Sequence, residues 1–226
     1  MNFELYKVGG CVRDQLIGRS STDIDYTVVI SDKMPANLAF DELQQELTNQ
    51  GYKIFTTIPE RFTIRSKFPD SKLISDFVLS VGYDGMTSDL QNDLLRRDFT
   101  MNALAIDEFG SIIDISDGRD DIENKIIKCP IDPNRVFQDD SVRIFRAFRF
   151  CIQLGFEIDD SVWQAICKSN FANLRIDKLV DEMIKMFKIN SGKSLELFWK
   201  LRECNLPLYE FVFENVWLRT NKIKVK

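Results

Sequence analysis

The chain has 226 residues, 44% of them hydrophobic, with a formal net charge of −5 and no histidine. The lack of histidine excludes Ser-His and Cys-His nucleophilic catalysis and every histidine-based metal site. No run approaches the roughly 18 apolar residues that a membrane helix needs, and the N-terminus has no signal-peptide pattern, so we expect a cytoplasmic protein without a membrane partner. Five irregularly spaced cysteines predict reduced thiols rather than disulfides or a zinc site.

The first part of the chain mixes short strands and helices. In chain order, the patterns predict strands at 3–8 and 23–30, a helix at 41–50, and strands at 52–56, 62–65 and 73–79. A glycine turn, Gly9-Gly10, follows the first strand and opens a short helix.

From residue 139 onward the pattern is helical. Apolar residues recur at i, i+3 and i+4 over 141–154, 161–168, 176–188 and 193–204. The predicted fold class is therefore α+β, with an α/β head at 1–138 followed by an all-α neck at 139–226. Residues 1–140 carry 15 Lys+Arg against 25 Asp+Glu (net −10), and residues 141–226 carry 15 against 10 (net +5). This asymmetry suits a metal site beside a polyanion-binding surface.

The pair Asp23 and Asp25 is the first candidate for chemistry. Side chains alternate along a strand, so both carboxylates face the same side. Two like charges that close repel each other unless a cation lies between them. Oxygen ligands without histidine or thiolate select Mg²⁺, with Mn²⁺ as an alternative. For an isolated D-x-D, an acidic strand edge is the competing interpretation.

The segment ahead of this pair predicts a phosphate cradle. A glycine turn at a helix N-terminus lets backbone N–H groups approach a phosphate closely, and the helix dipole favours the negative charge. Arg13 adds a charged partner one turn into the helix. Gly10 and Arg13 are therefore candidate nucleotide ligands, although a Gly-Gly pair on its own is more often just a turn.

The run GGCVRDQLIGRSSTDID at 9–25 resembles motif A of the class II tRNA nucleotidyltransferase and bacterial poly(A) polymerase family, in the DNA polymerase β superfamily. Three more stretches are similar to family motifs in the expected order: RRDFTMNA at 96–103, DISDGRDDI at 114–122 and DDSVRIFRAFRF at 139–150. The resemblance implies a polymerase-β-like head, with a mixed sheet and flanking helices, before a helical neck. It also implies a two-metal site at the catalytic Asp23 and Asp25, and places Arg97 at the nucleotide.

The last motif predicts base recognition by a helix at 139–154. Asp140 and Arg143 are helix neighbours that together offer an acceptor and two donors. Cytosine and adenine each present an amino donor beside a ring-nitrogen acceptor, whereas guanine and uracil reverse that order, so the pair favours C and A. A plain helix salt bridge is the alternative. Arg146 and Arg149 follow at steps of three and are candidates for contact with the triphosphate or the RNA backbone.

Several features depart from the family pattern. The segment 80–88 is shorter than the family's flexible loop, and in the family a shortened loop goes with enzymes that add C but not the terminal A. The chain also ends soon after the neck, whereas relatives usually continue into domains that grip tRNA. Four basic residues near the end are candidates for partly replacing those domains: Arg219, Lys222, Lys224 and Lys226.

The predicted function is template-independent addition of C and/or A (CCA or CC) to tRNA 3′ ends from CTP and ATP with release of pyrophosphate. An A-adding or poly(A) polymerase acting on another RNA 3′ end is the second possibility. A catalytically weak RNA-binding protein that keeps the fold is the third. Asp76, on a later strand, is a candidate third carboxylate, or simply an acid at a strand end.

Overall fold

The computed structural model describes residues 3–68 and 73–217. The chain divides into two compact units, Met1–Ile122 and Glu123–Lys226. The basic residues predicted to assist RNA binding near the end, from Arg219 to Lys226, lie outside the described residues.

The first unit is built on a seven-stranded mixed sheet. Its strands are β1 (Phe3–Val8), β2 (Asp23–Ile30), β3 (Lys53–Ile58), β4 (Thr63–Lys67), β5 (Ile74–Leu79), β6 (Leu104–Ile106) and β7 (Ile112–Asp114). They lie in the order β3-β4-β5-β2-β1-β6-β7, in which β2 and β5 run parallel and the other five described pairs are antiparallel. The helices are α1 (Gly10–Leu16), α2 (Ala36–Asn49), α3 (Leu90–Leu95) and α4 (Gly118–Glu123).

Alternation along β2 separates the core of this unit from its candidate site. Val28 and Ile30 face one side, where they join a buried cluster with α2. The apolar residues of α2 recur at helical spacing and are buried together: Ala36, Ala39, Phe40, Leu43 and Leu47. The other side of β2 carries Asp23, Asp25 and Thr27. The sheet therefore buries its apolar residues against α2 and presents the two carboxylates on the opposite face.

The second unit is almost entirely helical. Its helices are α5 (Pro133–Asp139), α6 (Val142–Leu154), α7 (Asp160–Lys168), α8 (Ile176–Ile189), α9 (Ser191–Cys204) and α10 (Leu206–Val212), followed by a π-helical turn at Phe213–Trp217. Two very short strands, β8 (Ile126–Ile127) and β9 (Glu157–Ile158), pair in parallel. Aromatic rings form the centre of the core, with Phe145 and Phe198 both packed against Phe148.

Two predicted boundaries differ from the structure. The division between the units follows Ile122 rather than 138, because β8 pairs with β9 and α5 packs against α7 within the helical unit. The helix predicted at 139–154 begins at Val142. Asp140 precedes it in an extended conformation, with φ −152° and ψ 102°, and its Oδ1 accepts a hydrogen bond from the Val142 N–H at 3.0 Å. Asp140 therefore stands just ahead of α6.

None of the helices in the described part of the chain is both long enough and apolar enough to cross a membrane. All five cysteines are free thiols, as their spacing predicted.

Candidate active site

The sheet register places the predicted metal ligands in one row of side chains. Asp25 on β2 lies beside Asp76 on β5, and Asp76 lies opposite Arg65 on β4. Directly paired residues in neighbouring strands share a face of the sheet, so these three side chains follow one another across it. Asp23, two residues before Asp25 on the same strand, shares that face. The row brings together a pair of carboxylates and a candidate third.

The carboxyl group of Asp25 has a pKa above its usual value. Although the residue is exposed at the surface, surrounding protein partly desolvates its carboxyl, and this desolvation raises its pKa above the usual value. The charge of Asp76 raises the pKa further, Arg97 lowers it, and Asp23 raises it again. The net direction of the shift is upward, and desolvation is its largest cause.

Asp76 is already engaged in an ion pair. Its Oδ1 accepts from Arg65 Nε at 2.7 Å and its Oδ2 accepts from Arg65 Nη2 at 2.6 Å. This bidentate geometry is the strong form of the Arg–carboxylate interaction, and it uses both oxygens of Asp76. In this arrangement Asp76 acts as a partner of Arg65.

The donor set fits a hard divalent cation at Asp23 and Asp25. Both side chains supply carboxylate oxygens on one face of β2, and such oxygens are the ligands that hard divalent cations prefer. Within residues 3–68 and 73–217, no group of three or more Asp, Glu or Cys side chains is arranged to hold a metal ion. Mg²⁺ commonly binds through one or two carboxylates and completes its shell with water and substrate phosphates, so two aspartates are a sufficient protein contribution.

The glycine turn beside this pair has one position that requires glycine. Gly9 has φ +73° and ψ −135°, a conformation that residues with a Cβ rarely adopt. A Cβ at Gly9 would lie 2.9 Å from Arg97 Nη1, whereas one at Gly10 would lie 3.6 Å from Arg13 Nη2, an ordinary contact. Gly10 is the first residue of α1. The sequence singled out Gly10, and the structure shows that Gly9 makes the turn possible.

Arg13 is buried and links two sequence motifs. It is only 5% exposed, its Nη1 donates to Asn102 Oδ1 at 2.7 Å, and its Nε donates to Asp14 Oδ1 at 2.9 Å. Asn102 in turn donates through Nδ2 to Asp98 Oδ1 at 2.9 Å. These bonds join the GGCVRD and RRDFTMNA segments through a buried polar network. Arg13 therefore stabilises the Gly9-Gly10 turn from the protein interior.

Arg97 is a second arginine that the structure brings close to the carboxylates, beside Arg65. Its Nε and Nη2 donate to Asp93 Oδ2 at 3.1 and 2.8 Å, and Nη2 also donates to Thr27 Oγ1 at 3.0 Å. Thr27 Oγ1 itself donates to Asp93 Oδ2 at 2.8 Å. This triangle positions Arg97, whose charge lowers the pKa of Asp25. Gly9 leaves the space that Arg97 Nη1 occupies.

The motif DISDGRDDI supports the site through residues that the sequence did not single out. The Thr100 hydroxyl donates to Asp121 Oδ2 at 2.7 Å. A Cβ at Gly118 would lie 2.3 Å from the Thr100 carbonyl oxygen, so only glycine fits. Asp114 Oδ1 accepts from the N–H of Gly118 at 3.0 Å. The motif thus fixes the backbone at Thr100, three residues after Arg97. The glycine and the aspartates of the motif are the sequence features that could have predicted this supporting role.

In the helical unit, the predicted base-reading residues lie at the start of α6. Asp140 Oδ2 accepts from Arg175 Nη2 at 2.9 Å, so Asp140 forms an ion pair with the residue that precedes α8. Arg143 is half-buried, and its Nη1 lies 3.5 Å from the carbonyl oxygen of Val136. The simple salt bridge proposed as an alternative between Asp140 and Arg143 is therefore not how Asp140 is held.

Arg146 and Arg149 continue the half-buried stripe of α6. Arg149 Nε donates to Glu182 Oε2 on α8, and the Arg149 guanidinium lies 4.0 Å from the centre of the Phe150 ring. Burial acts to raise the pKa of Glu182, but the hydrogen bond and charge of Arg149 outweigh it, so that pKa is lowered. Arg146 lies 5.6 Å from the Phe150 ring centre. Arg149 thus ties α6 to α8.

The short segment 80–88 is a closed hairpin. Ser88 N–H donates to the Ser80 carbonyl at 2.9 Å, and Gly82 N–H donates to the Met86 carbonyl at 2.9 Å. The hairpin is also fastened to the β2–α2 connection, where Ala36 N–H donates to the Gly85 carbonyl at 3.0 Å. Nearby, Lys33 Nζ lies 2.7 Å from Asp84 Oδ2. The segment therefore has little freedom to act as a long lever.

Known proteins resemble both the sequence and the fold of this chain. The profile of the poly A polymerase head domain matches residues 5–128. A CCA-adding enzyme of Staphylococcus aureus (strain bovine RF122 / ET3-1) is 32% identical over 229 residues, covering 94% of this chain and 54% of the relative. The Bacillus stearothermophilus CCA-adding enzyme, solved in complex with CTP, superposes with a TM-score of 0.76 at 28% identity, over 92% of this chain and 50% of that one. A tRNA nucleotidyltransferase solved with a primer tRNA and an incoming ATP analogue gives a TM-score of 0.69 at 29% identity, over 88% of this chain and 58% of that one.

The chain spans about half the length of the curated relatives that it matches. The head-domain match covers more than half of the chain, and the seven-stranded sheet with its following helices reproduces the predicted polymerase-β-like head and helical neck. The chain belongs to the poly A polymerase head domain family, the family of class II CCA-adding enzymes and bacterial poly(A) polymerases.

Proposed function

We propose that this chain is a metal-dependent nucleotidyltransferase that adds C and A to the 3′ end of tRNA from CTP and ATP, releasing pyrophosphate. The observation that carries the proposal is the shared strand face of Asp23 and Asp25, next to the Gly9-Gly10 turn. Supporting it, relatives were solved with CTP and with a primer tRNA and an ATP analogue. Because tRNA is the proposed substrate, we place the reaction in the cytoplasm.

Asp23 and Asp25 would hold two Mg²⁺ ions, or Mn²⁺ in their place, as metal ligands and catalytic residues. When bound, such ions activate the RNA 3′ hydroxyl and stabilise charge on the leaving pyrophosphate. Arg97, positioned by Asp93 and Thr27, would contact the triphosphate from the same face of the sheet. Arg97 and the two carboxylates would mainly position the reactants and neutralise charge. These two effects dominate the catalysis of phosphoryl transfer.

We assign the remaining nucleotide contacts by element. At the start of α1, Gly10 would offer its backbone N–H to a phosphate, and Arg13 would contribute positive charge while holding the turn. In the helical unit, Asp140 and Arg143 would read the base edge and select C and A over G and U.

Farther along α6, Arg146 and Arg149 would contact the triphosphate or the RNA backbone.

The fastened hairpin at 80–88 favours CC addition as the second candidate product. A pocket that accepts cytosine must enlarge to accept adenine, and a long mobile loop can drive such a change. Here the segment is short and closed by its own hydrogen bonds, and Lys33 and Ala36 anchor it. We therefore propose that C addition is faster than A addition.

Three tRNA substrates separate the possible activities. The full chain is incubated with tRNA ending before CCA, after C or after CC, each with labelled CTP or ATP and Mg²⁺. Incorporation of C into the first two supports the proposed function, and single-turnover rates of A addition to the third decide between CC and CCA. Repeated A addition to any RNA would instead indicate a poly(A) polymerase. No incorporation on any substrate, by a folded protein that binds tRNA, would indicate an inactive RNA-binding relative and refute the proposal.

A further inference from the structure

One segment of the first unit has a charge opposite to that of its surroundings. Residues 1–122 contain 12 Lys+Arg against 21 Asp+Glu, a net −9. Within them, residues 53–67 contain 4 against 1, a net +3, so the rest of the unit carries −12. This segment is the β3–β4 hairpin at one edge of the sheet. A polyanion that approaches this unit therefore meets attraction at the hairpin and repulsion elsewhere.

The register of the hairpin places like charges directly opposite each other. Lys53 on β3 pairs with Lys67 on β4, which is an unfavourable cross-strand combination. In the part of the chain that the structure describes, neither lysine takes part in an ion pair. Among the described residues, these two lysines therefore lie side by side without an acidic partner, and an external anion would relieve their repulsion.

These lysines lie on the same face of the sheet as the candidate active site. Lys67 and Arg65 are two residues apart on β4 and so share a face, and Arg65 begins the row that continues through Asp76 to Asp25. Neighbouring strands are about 4.8 Å apart, so β3 lies roughly 14 Å from β2 across the sheet. The positive charges thus lead toward the carboxylates along one surface.

The bulge in β3 adds an exposed aromatic ring to the hairpin. The pairing of β3 and β4 shifts between Ile54 and Thr56, which leaves Phe55 as the extra residue. Phe55 is 47% exposed. Exposed aromatic rings beside basic side chains are the combination that binds single-stranded nucleic acid, because an unpaired base can stack on the ring while cations contact the phosphates.

We propose that the basic hairpin face, formed by Lys53, Phe55, Arg65 and Lys67, binds the single-stranded 3′ end of the RNA acceptor. It guides that end toward Asp23 and Asp25, across a unit whose net charge would otherwise repel it. The inference rests on the proposed function, since an RNA acceptor is what that function requires. Arg65 remains paired with Asp76, so Lys53 and Lys67 supply the positive charge that attracts the phosphates.

The test compares two double variants of the full chain that remove the same charge. Lys53→Gln/Lys67→Gln removes the two lysine charges of the hairpin face, and Lys7→Gln/Arg119→Gln removes the charges of two exposed basic residues elsewhere in the unit. Fluorescence anisotropy measures binding of a labelled single-stranded RNA of about 12 nucleotides over a range of salt concentrations, and circular dichroism verifies folding. KM for the RNA acceptor and for CTP is measured in parallel.

Loss of two phosphate contacts should lower the salt dependence of binding by about 1.4 in log–log slope and weaken binding by about ten- to twenty-five-fold near 0.1 M salt. KM for the acceptor should rise in proportion while KM for CTP stays unchanged, and the control pair should behave like the unmodified protein. The inference would be overturned if the hairpin variant bound RNA with the affinity and salt slope of the unmodified protein. It would also be overturned if both double variants lost the same amount of RNA affinity. If the unmodified protein incorporates no nucleotide, the proposed function fails, whereas an active enzyme whose hairpin variant binds RNA normally refutes the hairpin face alone.

Discussion

Replacing Gly9 by alanine tests how the glycine turn is built. Gly9 has φ +73° and ψ −135°, and holding a residue with a Cβ in such a conformation costs about 1–3 kcal/mol. The new Cβ would also lie 2.9 Å from Arg97 Nη1. Because that atom lies at the end of a flexible side chain, we expect the Arg97 side chain to move while the backbone keeps its conformation.

The expected loss of unfolding free energy for Gly9→Ala is therefore about 2 kcal/mol. For a chain of this size that corresponds to a fall in Tm of about 4–8 °C. A displaced Arg97 should also raise KM for CTP. The matched control is Gly10→Ala, whose Cβ would make only an ordinary contact at 3.6 Å from Arg13 Nη2. Its Tm should stay close to that of the unmodified protein, while KM for CTP rises if the Gly10 backbone contacts a phosphate.

Thermal unfolding followed by circular dichroism gives Tm, and labelled CMP incorporation gives KM. The reasoning requires a clear difference in Tm between the two variants. If Gly9→Ala unfolds at the same temperature as Gly10→Ala, the turn is not strained for alanine and the structural role assigned to Gly9 is wrong.

Three further predictions concern the supporting networks and base choice. Asn102→Ala should lower the free energy of unfolding in urea by about 1–3 kcal/mol, because buried Arg13 loses an acceptor. Gly118→Ala should cost about 1–3 kcal/mol or more in the same assay, because its Cβ would lie 2.3 Å from a backbone carbonyl oxygen. Asp140→Ala and Arg143→Ala should each weaken discrimination against UTP and GTP by about 1–3 kcal/mol, measured as ratios of kcat/KM.

Each of these predictions has a contradicting result. Unchanged urea midpoints for Asn102→Ala would show that the buried network contributes nothing to stability. A fully stable Gly118→Ala protein would show that the backbone there relaxes without cost. Unchanged nucleotide selectivity in both the Asp140 and Arg143 variants would mean that these residues only support the start of α6.

The parts of the fold with strong local patterns were predictable. The bounds of β1 and β2 are those that the sequence predicts, because alternation and β-branched residues are clear there. Helices α6 to α9 follow their apolar periodicity closely. In contrast, β8 and β9 have two residues each, too few to show a period, and their pairing moved the division between the units to Ile122.

The candidate site was predictable as a set of residues but not as a set of contacts. The spacing of Asp23 and Asp25 was enough to place them on one face of a strand. The hydrogen-bond partner of Arg13 was not predictable, since Asn102 lies 89 residues away along the chain. Likewise, the pairing of Asp76 with Arg65 depends on the register of β4 and β5, which no local pattern specifies. Long-range contacts of this kind need the tertiary structure.

CMP incorporation into tRNA lacking CCA by the Asp25→Asn variant tests the proposed metal-dependent chemistry most directly. Asp41→Asn, which changes an exposed acid on α2, is the control of equal charge. Since the fold raises the pKa of Asp25, its negative charge is unfavourable in the metal-free protein, so Asp25→Asn should unfold at the same or a higher temperature. We expect incorporation to fall by about 10³-fold or more in this stable variant and to remain normal in Asp41→Asn. Incorporation by Asp25→Asn above about one tenth of the unmodified rate, with Mg²⁺ present, would contradict the assignment of Asp25 as a metal ligand.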